Sequence, residues 1–410
     1  MPPWGVVPTP TPTALRPDRT RAPGARPVGG PALVDVATRA GLVALGVAGA
    51  GVFADTRRHL VERRAAGLAG GMQFTFRNPE RSTDPGRIVP GARSLVVGAL
   101  AYAHPTPPAA PAPGPTPGAC RQPVGQVAAV ASADHYGALR RALAEVASLL
   151  SGAGWRAVVV ADENSLVDRA AARRAGLGWF GRNSLLLVRG AGSWCVLGSV
   201  VTDAPLTPGP LFLPRPAGGR PVPVPEPHAA GCGRCTRCLE ACPTGALVAP
   251  GVVDARRCLA WVLQAPGPVP ARLRAAAGTR LYGCDDCQVT CPVNLTADRH
   301  HPASAPSGAG RGTGPGPEVD LLGVLGATDG ELLDRFGRWY LPGRDPGVLR
   351  RNALVALGNA GVGTAAVRAA IARYEAGDDQ LLAEHARWAR ARLDDVAAGR
   401  PAGERGGVPG

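Results

Sequence analysis

Apolar runs and amphipathic stretches alternate along the N-terminal half of the chain. Short, mostly apolar runs predict strands over residues 41–54, 94–102, 156–160, 185–188 and 194–201. Apolar positions at helical spacing predict helices over residues 32–40, 59–66, 138–150 and 165–175. Because strands and helices alternate, we predict an α/β domain over residues 31–227, with its regular elements ending near residue 204.

Three further helices are predicted near the C-terminus, over residues 347–359, 364–376 and 379–393. Glycines separate them, and the spacing of leucine and alanine in residues 349–359 suits a helix of a small helical repeat. We therefore predict a HEAT-like helical domain over residues 345–395. An ordinary α-hairpin with no binding role fits the same pattern.

Four segments are rich in proline, glycine and alanine, a composition that favours disordered ends, surface insertions and linkers. They cover residues 2–30, 105–117, 205–227 and 302–317. We predict a disordered N-terminus, a linker and a disordered tail over residues 1–30, 301–344 and 396–410. The apolar run 41–54 holds four glycines and is too short to cross a membrane, so we expect a cytoplasmic protein without a membrane anchor.

The length and charge of the chain set broad limits on its function. Its 410 residues leave room for two or three domains. The formal charge of +14 indicates an anionic partner, with nucleic acid first among the candidates. All 45 basic residues are arginine, however, and with the abundant alanine, glycine and proline this also fits a genome-wide compositional bias. Charge alone leaves both interpretations open.

Eight of the ten cysteines form one pattern. A C-x2-C-x2-C-x3-C-P run is followed by a single cysteine and then by a C-x2-C-x3-C-P run, at Cys232, Cys235, Cys238, Cys242, Cys258, Cys284, Cys287 and Cys291. The first spacing is typical of ferredoxin-type chains that hold cubane iron–sulfur clusters, in which the fourth cysteine of a run ligates the other cluster. We therefore predict a ferredoxin-like module with two 4Fe-4S clusters over residues 228–300.

The second run is one cysteine short, and Cys258 is the nearby thiol that completes the set. We assign one cluster to Cys232, Cys235, Cys238 and Cys291, and the other to Cys242, Cys258, Cys284 and Cys287. Structural zinc, which also takes four thiolates, is the leading alternative, and a disulfide framework is a weaker one. Cys120 and Cys195 lie outside the pattern and are treated as structural or incidental.

The cysteine motifs of residues 232–246 and 282–294, in their full context, resemble the cobalamin-dependent, iron–sulfur epoxyqueuosine reductases. Residues 71–81 with 90–94, 162–181 and 349–359 agree with the same family, and the likeness runs from about residue 32 to 395. The Gly-Cys-Asp-Asp-Cys-Gln string and the Ala-Gly-Leu-Gly-Trp string are its most specific parts. The chain departs from the family at Glu163 to Ser165, at Val293 and in the insertion near residues 105–117.

The resemblance implies a two-electron removal of the epoxide oxygen from epoxyqueuosine in the anticodon loop of a transfer RNA. It implies bound cobalamin, two clusters that pass on electrons from an external donor, and a monomeric enzyme. The family assigns an aspartate as proton donor, and Asp162 matches it. Asp162 follows an apolar strand, where ligand crevices form in α/β sheets, and a raised pKa would suit proton donation. As an alternative, Asp162 caps the following helix.

We expect cobalamin contacts from Gly178, Gly181, Arg182, Asn183 and Leu186. The glycines would let the backbone approach the corrin, and the two polar side chains could reach its amides or phosphate tail. Alternatively, the glycines serve a tight turn between helix and strand. A reductive dehalogenase, a cobalamin-free electron carrier and a zinc-bound nucleic-acid-binding module remain competing functions.

Overall fold

The computed structural model describes residues 24–102, 122–213, 231–300 and 316–399. Cys120, most of the predicted disordered ends and most of the proline-rich insertions lie outside the described residues. Three parts follow one another along the chain: an α/β domain, the cysteine-rich module and a mainly helical C-terminal part. No described helix is both long and apolar enough to cross a membrane.

The α/β domain contains the strands and helices that the sequence predicts, together with several short ones. Its helices are α1 (Gly30–Arg39), α2 (Ala54–Ala65), α3 (Phe74–Arg77), α4 (Pro79–Ser82), α5 (His135–Gly152) and α6 (Asp168–Arg174). Its strands are β1 (Ala44–Gly49), β2 (Ser94–Ala101), β3 (Val124–Val127), β4 (Ala157–Val160), β5 (Gly178–Phe180), β6 (Leu186–Val188), β7 (Cys195–Thr202) and β8 (Gly209–Leu211).

Five of these strands form one sheet in the order β4-β7-β2-β1-β8. Every neighbouring pair in this sheet is antiparallel, and β4 lies at one edge. We expected a ligand crevice beside Asp162 because such crevices form at the carboxyl ends of the strands in open, mostly parallel α/β sheets. That reasoning is wrong for this protein, because its sheet is antiparallel. In addition, β8 lies inside residues 205–227, which we predicted to be irregular.

Helices cover both faces of this sheet, as the alternation of side chains along β2 shows. Val96 and Leu100 belong to the core packed against α1 and α5. Leu95 and Val97 point to the opposite face and share a core with α6. Since successive side chains of a strand face opposite sides, a continuous apolar run such as β2 requires burial on both faces.

The cysteine-rich module is compact and has short elements. Its helices and strands are α7 (Arg237–Glu240), β9 (Leu247–Ala249), β10 (Val252–Val253), α8 (Leu259–Val262), α9 (Ala271–Ala277), β11 (Arg280–Tyr282), α10 (Asp286–Val289) and α11 (Pro292–His300). The ligand-bearing segments fold as single turns because prolines and glycines repeatedly interrupt the chain between them.

The C-terminal part begins earlier than predicted. Its elements are β12 (Glu318–Asp320), α12 (Leu321–Gly326), α13 (Asp329–Phe336), α14 (Gly347–Ala360), α15 (Ala365–Glu375) and α16 (Gln380–Ala397). The linker predicted over residues 301–344 is wrong for residues 316–344, because α12 and α13 bury Leu325 and Phe336 in the same core as α14 and α16. The three predicted C-terminal helices are present, and their HEAT-like character remains a prediction.

A small sheet in the order β11-β3-β12 joins the three parts. Strand β3 comes from the α/β domain, β11 from the cysteine-rich module and β12 from the C-terminal part. β3 pairs parallel with β11 and antiparallel with β12. Shared backbone hydrogen bonds therefore fix the cysteine-rich module against the α/β domain, which positions the site described next.

Candidate redox site

Four of the cysteines line one small cavity, at the boundary between the cysteine-rich module and the α/β domain. They are Cys232, Cys235, Cys238 and Cys291, and the cavity has a volume of about 80 Å³. The turn after β5 forms another wall, through residues 181–183. This set of four thiols is the first group that the sequence assigns to one cluster.

The remaining four cysteines are partly exposed, like the first four. Burial raises the pKa of Cys258, and the charge of Cys242 adds to this effect. Burial raises the pKa of Cys284 to about 12, and the charge of Cys258 contributes. The pKa of Cys287 is raised by burial and then by the charges of Cys284, Cys258, Cys238 and Cys242, so this thiol lies near both groups.

Backbone N–H groups point at some of these sulfur atoms. Ala246 N–H donates to Sγ of Cys242 at 3.2 Å. Burial alone would raise the pKa of Cys242, but this contact and further hydrogen bonds from the same loop lower it. Hydrogen bonds to thiolate sulfur stabilise the ionised form that ligates a metal and tune the potential of an iron–sulfur cluster.

The distances between the thiols bear on whether they bind a single zinc ion or a larger iron–sulfur cluster. Among the described residues, no three His, Cys, Asp or Glu side chains converge closely enough to hold a single metal ion. Cys195 lies apart in β7, where burial raises its pKa to about 12. The cavity brings together the first four cysteines, and the assignment of the second four to one cluster remains a prediction.

Asp162 lies just beyond the end of β4, in a backbone conformation that few residues adopt. Its φ is +53°, in the left-handed region, where Asp and Asn are among the tolerated side chains. The cap alternative is wrong, because α6 begins only at Asp168 and its N-cap residue is Val167. The backbone N–H of Asp162 instead donates to Oδ2 of Asp168 at 3.2 Å.

The Asp162 side chain is exposed, yet the surrounding protein desolvates its carboxyl group. This enclosure raises the pKa of the carboxyl group; the charge of Arg140 lowers it and that of Glu163 raises it. Arg140 is held in place by a hydrogen bond from Nη2 to the carbonyl of Ala161 at 2.6 Å. A carboxyl group with a raised pKa can keep a proton closer to neutral pH, as a proton donor requires.

Asp168 and Tyr136 lie near Asp162, and the sequence pattern indicated a role for neither. Burial raises the pKa of Asp168, with the charge of Asp162 adding to it. Burial also raises the pKa of Tyr136, helped by both carboxylates and partly offset by Arg169. Arg169 follows Asp168 in α6 and donates from Nη1 to the carbonyl of Ser184 at 3.2 Å. Arg169 therefore connects the Asp162 region to the turn after β5, which borders the thiol cavity.

The positions predicted to contact cobalamin mostly make contacts within the protein. A Cβ at Gly178 would lie 1.9 Å from the carbonyl oxygen of Leu187, and one at Gly181 would lie 2.6 Å from Oδ1 of Asn183. These contacts support the tight-turn interpretation of the glycines. Leu186 is buried in the core of the α/β domain.

The polar pair in the same turn reaches the cysteine-rich module. Nη2 of Arg182 donates to the carbonyl of Gly233 at 2.7 Å. Nδ2 of Asn183 donates to the carbonyl of Cys287 at 3.2 Å, and its Oδ1 accepts from Leu185 N–H. These side chains thus connect the turn to both thiol groups.

Two groups of four thiols beside an enclosed carboxyl group define the class of this molecule as a two-cluster iron–sulfur protein with an α/β domain. A model of the 4Fe-4S double cluster binding domain matches residues 231–294. A relative from Xanthomonas campestris pv. campestris, named epoxyqueuosine reductase, is 31% identical over 371 residues, which cover 87% of this chain and 94% of the relative. The chain belongs to the epoxyqueuosine reductase family.

Solved structures agree with this membership. A crystal structure of epoxyqueuosine reductase with a tRNA-Tyr epoxyqueuosine-modified stem loop has a TM-score of 0.73 at 29% identity, covering 89% of this chain and 90% of that chain. A structure of the Bacillus subtilis enzyme has a TM-score of 0.71 at 27% identity, covering 90% and 91%. In that structure a catalytic loop, named for an aspartate, is swung out of the active site.

Proposed function

We propose that this protein reduces epoxyqueuosine to queuosine in the anticodon loop of a transfer RNA. The main support within the structure is the turn after β5, which borders the cavity of Cys232, Cys235, Cys238 and Cys291. Arg169 donates to the carbonyl of Ser184 in the same turn, and its neighbour Asp168 accepts from the backbone N–H of Asp162. Short contacts thus link the thiols that would pass on electrons with the carboxyl group that would supply a proton. Family membership supplies the substrate class, and the solved relative with a modified tRNA stem loop supports it.

We assign the two clusters to the two thiol groups, four thiolates to each, because a cubane takes one thiolate at each iron. Cys258, the eighth ligand, is the residue at which this assignment is tested most directly. We expect Cys258→Ala to lower the iron content from about eight atoms per chain to about four, since one cluster loses a ligand. Iron analysis and electron paramagnetic resonance after anaerobic purification measure this loss.

Cys195→Ala is the matched control, because Cys195 is buried in β7 among residues of the α/β core. It should keep the full iron content. Full iron in Cys258→Ala, or zinc in place of iron in the unmodified protein, would contradict the assignment.

The residues around Asp162 are compatible with cobalamin. The Asp162 side chain is exposed, and its charge acts on the buried phenols of Tyr136 and Tyr282. Arg169, from the same region, contacts the turn that borders the thiol cavity. An exposed carboxyl group near aromatic side chains and the thiols would suit a flat macrocycle that takes up electrons beside a proton donor. When bound, the clusters and cobalamin supply the two electrons that break the carbon–oxygen bond. Arg182 and Asn183 remain candidates for contacts to the cofactor, beside their contacts to the cysteine-rich module.

Asp162 would hold the proton that the departing oxygen takes up. Removing the epoxide oxygen consumes two electrons and two protons and releases one water molecule. The enclosure that raises the pKa of Asp162 keeps its carboxyl group protonated to a higher pH than an exposed aspartate. Asp168 orients the strained backbone at Asp162 through the 3.2 Å hydrogen bond.

The single-turnover rate should therefore fall as pH rises through the raised pKa of Asp162, because only the protonated acid can donate. Arg140 lowers this pKa, so Arg140→Gln should move the falling limb of the profile to higher pH. The measurement is the rate of substrate loss against pH, with the clusters reduced before mixing. Arg141→Gln, an exposed neighbour on α5, should leave the limb in place. A limb that Arg140→Gln leaves unmoved or shifts to lower pH would remove Asp162 from this role.

The partner and location follow from the same proposal. The arginine excess would supply sequence-independent contacts to phosphates, and the C-terminal helices, if they form the HEAT-like domain we predict, would help to dock the RNA stem. We also infer a monomer that works in the cytoplasm, where thiols stay reduced and available as ligands.

The test of the function is incubation of reconstituted protein with epoxyqueuosine-containing transfer RNA under reducing conditions. Mass analysis of the digested nucleosides should show a product that has lost one oxygen atom. Unchanged epoxyqueuosine in the presence of reduced clusters and cobalamin would refute the proposal.

A further inference from the structure

The proposed reduction consumes two electrons for each substrate, and these electrons must enter the protein from outside. All eight cysteines of the two thiol groups are partly exposed. A carrier that docks on the surface beside them would therefore come close to a cluster.

An open depression of about 460 Å³ lies beside these ligands. It is lined by Arg237, Glu240, Ala241, Thr290 and Leu295. Three of these residues directly precede cluster ligands: Arg237 precedes Cys238, Ala241 precedes Cys242 and Thr290 precedes Cys291. A molecule seated in the depression would therefore come within a residue or two of ligands from both thiol groups, and electron transfer slows steeply with distance.

The charges around the depression favour an acidic partner protein. Arg237 of the lining is exposed, and so is Arg234, which stands between two ligands in the sequence. The one acidic residue of the lining, Glu240, accepts a hydrogen bond from Thr236 at 2.5 Å. The lining also contains Leu295, which is 40% exposed although it is a large apolar side chain. Exposed apolar side chains beside arginine are typical of a protein interface.

We propose that this depression, with Arg237 in its lining, is the docking site of a small acidic electron-carrier protein that reduces the clusters. The proposal rests on the proposed function, which requires an electron donor. Each carrier delivers one electron and leaves oxidised. Two carriers and two protons from solvent are thus used for each epoxide oxygen that leaves as water.

The experiment compares two reductants on the reconstituted full-length protein, without RNA. One is an acidic plant-type 2Fe-2S ferredoxin, reduced beforehand, and the other is dithionite, which needs no docking site. Stopped-flow bleaching of the cluster absorbance gives the rate of electron entry. We expect Arg237→Glu to slow reduction by ferredoxin roughly tenfold, because reversing a rim charge mainly lowers the association rate. Reduction by dithionite should be unchanged.

Two controls complete the design. Arg141→Glu makes the same charge change on α5, away from the residues that line the depression, and should keep the parental rate with ferredoxin. The ferredoxin rate of the parent should also fall as salt is added, and Arg237→Glu should flatten this dependence. A parental rate for Arg237→Glu with ferredoxin would overturn the docking site, and so would equal slowing with both reductants.

The docking site and the proposed function fail separately. If ferredoxin reduces the clusters through Arg237 but the RNA nucleoside is unchanged when cobalamin is present, the docking site stands and the substrate assignment is wrong. If Arg237→Glu has no effect and the nucleoside still loses its oxygen, the function stands and the carrier enters elsewhere.

Discussion

Asp162→Asn should lower epoxide turnover by roughly 10²–10⁴-fold, the usual contribution of a positioned general acid. The amide cannot donate a proton from an ionisable carboxyl group, yet it has nearly the same size. The left-handed backbone at position 162, with φ of +53°, accepts Asn as readily as Asp. The fold, iron content and cobalamin binding should therefore persist while the chemistry stops.

The matched control is Glu163→Gln, which removes a carboxylate from the next residue. Glu163 raises the pKa of Asp162, so its loss should lower that pKa and change the rate only a few-fold near neutral pH. Single-turnover rates, together with the absorbance of clusters and corrin, separate lost chemistry from lost cofactor. Parental turnover in Asp162→Asn would show that the proton comes from elsewhere.

Arg351→Met should cause the largest loss of stability among single substitutions in the C-terminal part, about 3–5 kcal/mol. Arg351 is fully buried in α14 and donates from Nη1 to the carbonyl of Ala265 at 2.8 Å. Its Nη2 donates to the carbonyls of Val262 and Leu263 at 3.3 and 3.2 Å. Methionine would leave these buried carbonyls without partners.

The loss of the Arg351 hydrogen bonds should also destabilise the second cluster. The carbonyls of Val262 and Leu263 lie at the C-terminal end of α8, whose N-cap residue is the ligand Cys258. A cation at this end also interacts favourably with the helix dipole. We expect the thermal midpoint to fall by roughly 10 °C and the clusters to bleach faster in the presence of a chelator.

Arg387→Met is the matched control, because Arg387 is exposed on α16. It should change the midpoint by less than about 2 °C. Circular dichroism during heating and the loss of cluster absorbance at fixed temperature give the two readouts. If Arg351→Met has the same thermal midpoint as Arg387→Met, the buried guanidinium does not stabilise the packing of α14 against the cysteine-rich module.

The regular elements of this protein could be predicted well from local sequence. Apolar runs marked β2, β4 and β7, and helical spacing marked α5 and α14, because burial imposes these patterns directly. Strand direction has no local signature, so the antiparallel sheet was missed. Residues 316–344 were taken for a linker because glycine and proline precede them, although Leu325 and Phe336 carry the apolar signal of a core.

Those parts of the candidate site that leave a local pattern in the sequence could be predicted. Cysteine spacing indicated the eight candidate ligands, and the family resemblance, together with the strand end before it, indicated Asp162 as the candidate proton donor. Asp168, Arg169 and Tyr136 could not be found in the same way, because they meet Asp162 only after α5 and α6 pack on the sheet. The cobalamin contacts were hardest, since glycines that serve a tight turn and glycines that serve a ligand look the same in sequence.

The most direct measurement is the mass of the modified nucleoside after one turnover. The reconstituted protein, with its clusters reduced and cobalamin bound, is mixed with an epoxyqueuosine-containing stem loop. The RNA is then digested, and the nucleosides are analysed by mass spectrometry. We expect queuosine, one oxygen atom lighter, to accumulate with the parent protein and not with Asp162→Asn. Epoxyqueuosine that stays unchanged with the parent protein, while its clusters remain reduced, would rule out the proposed reduction.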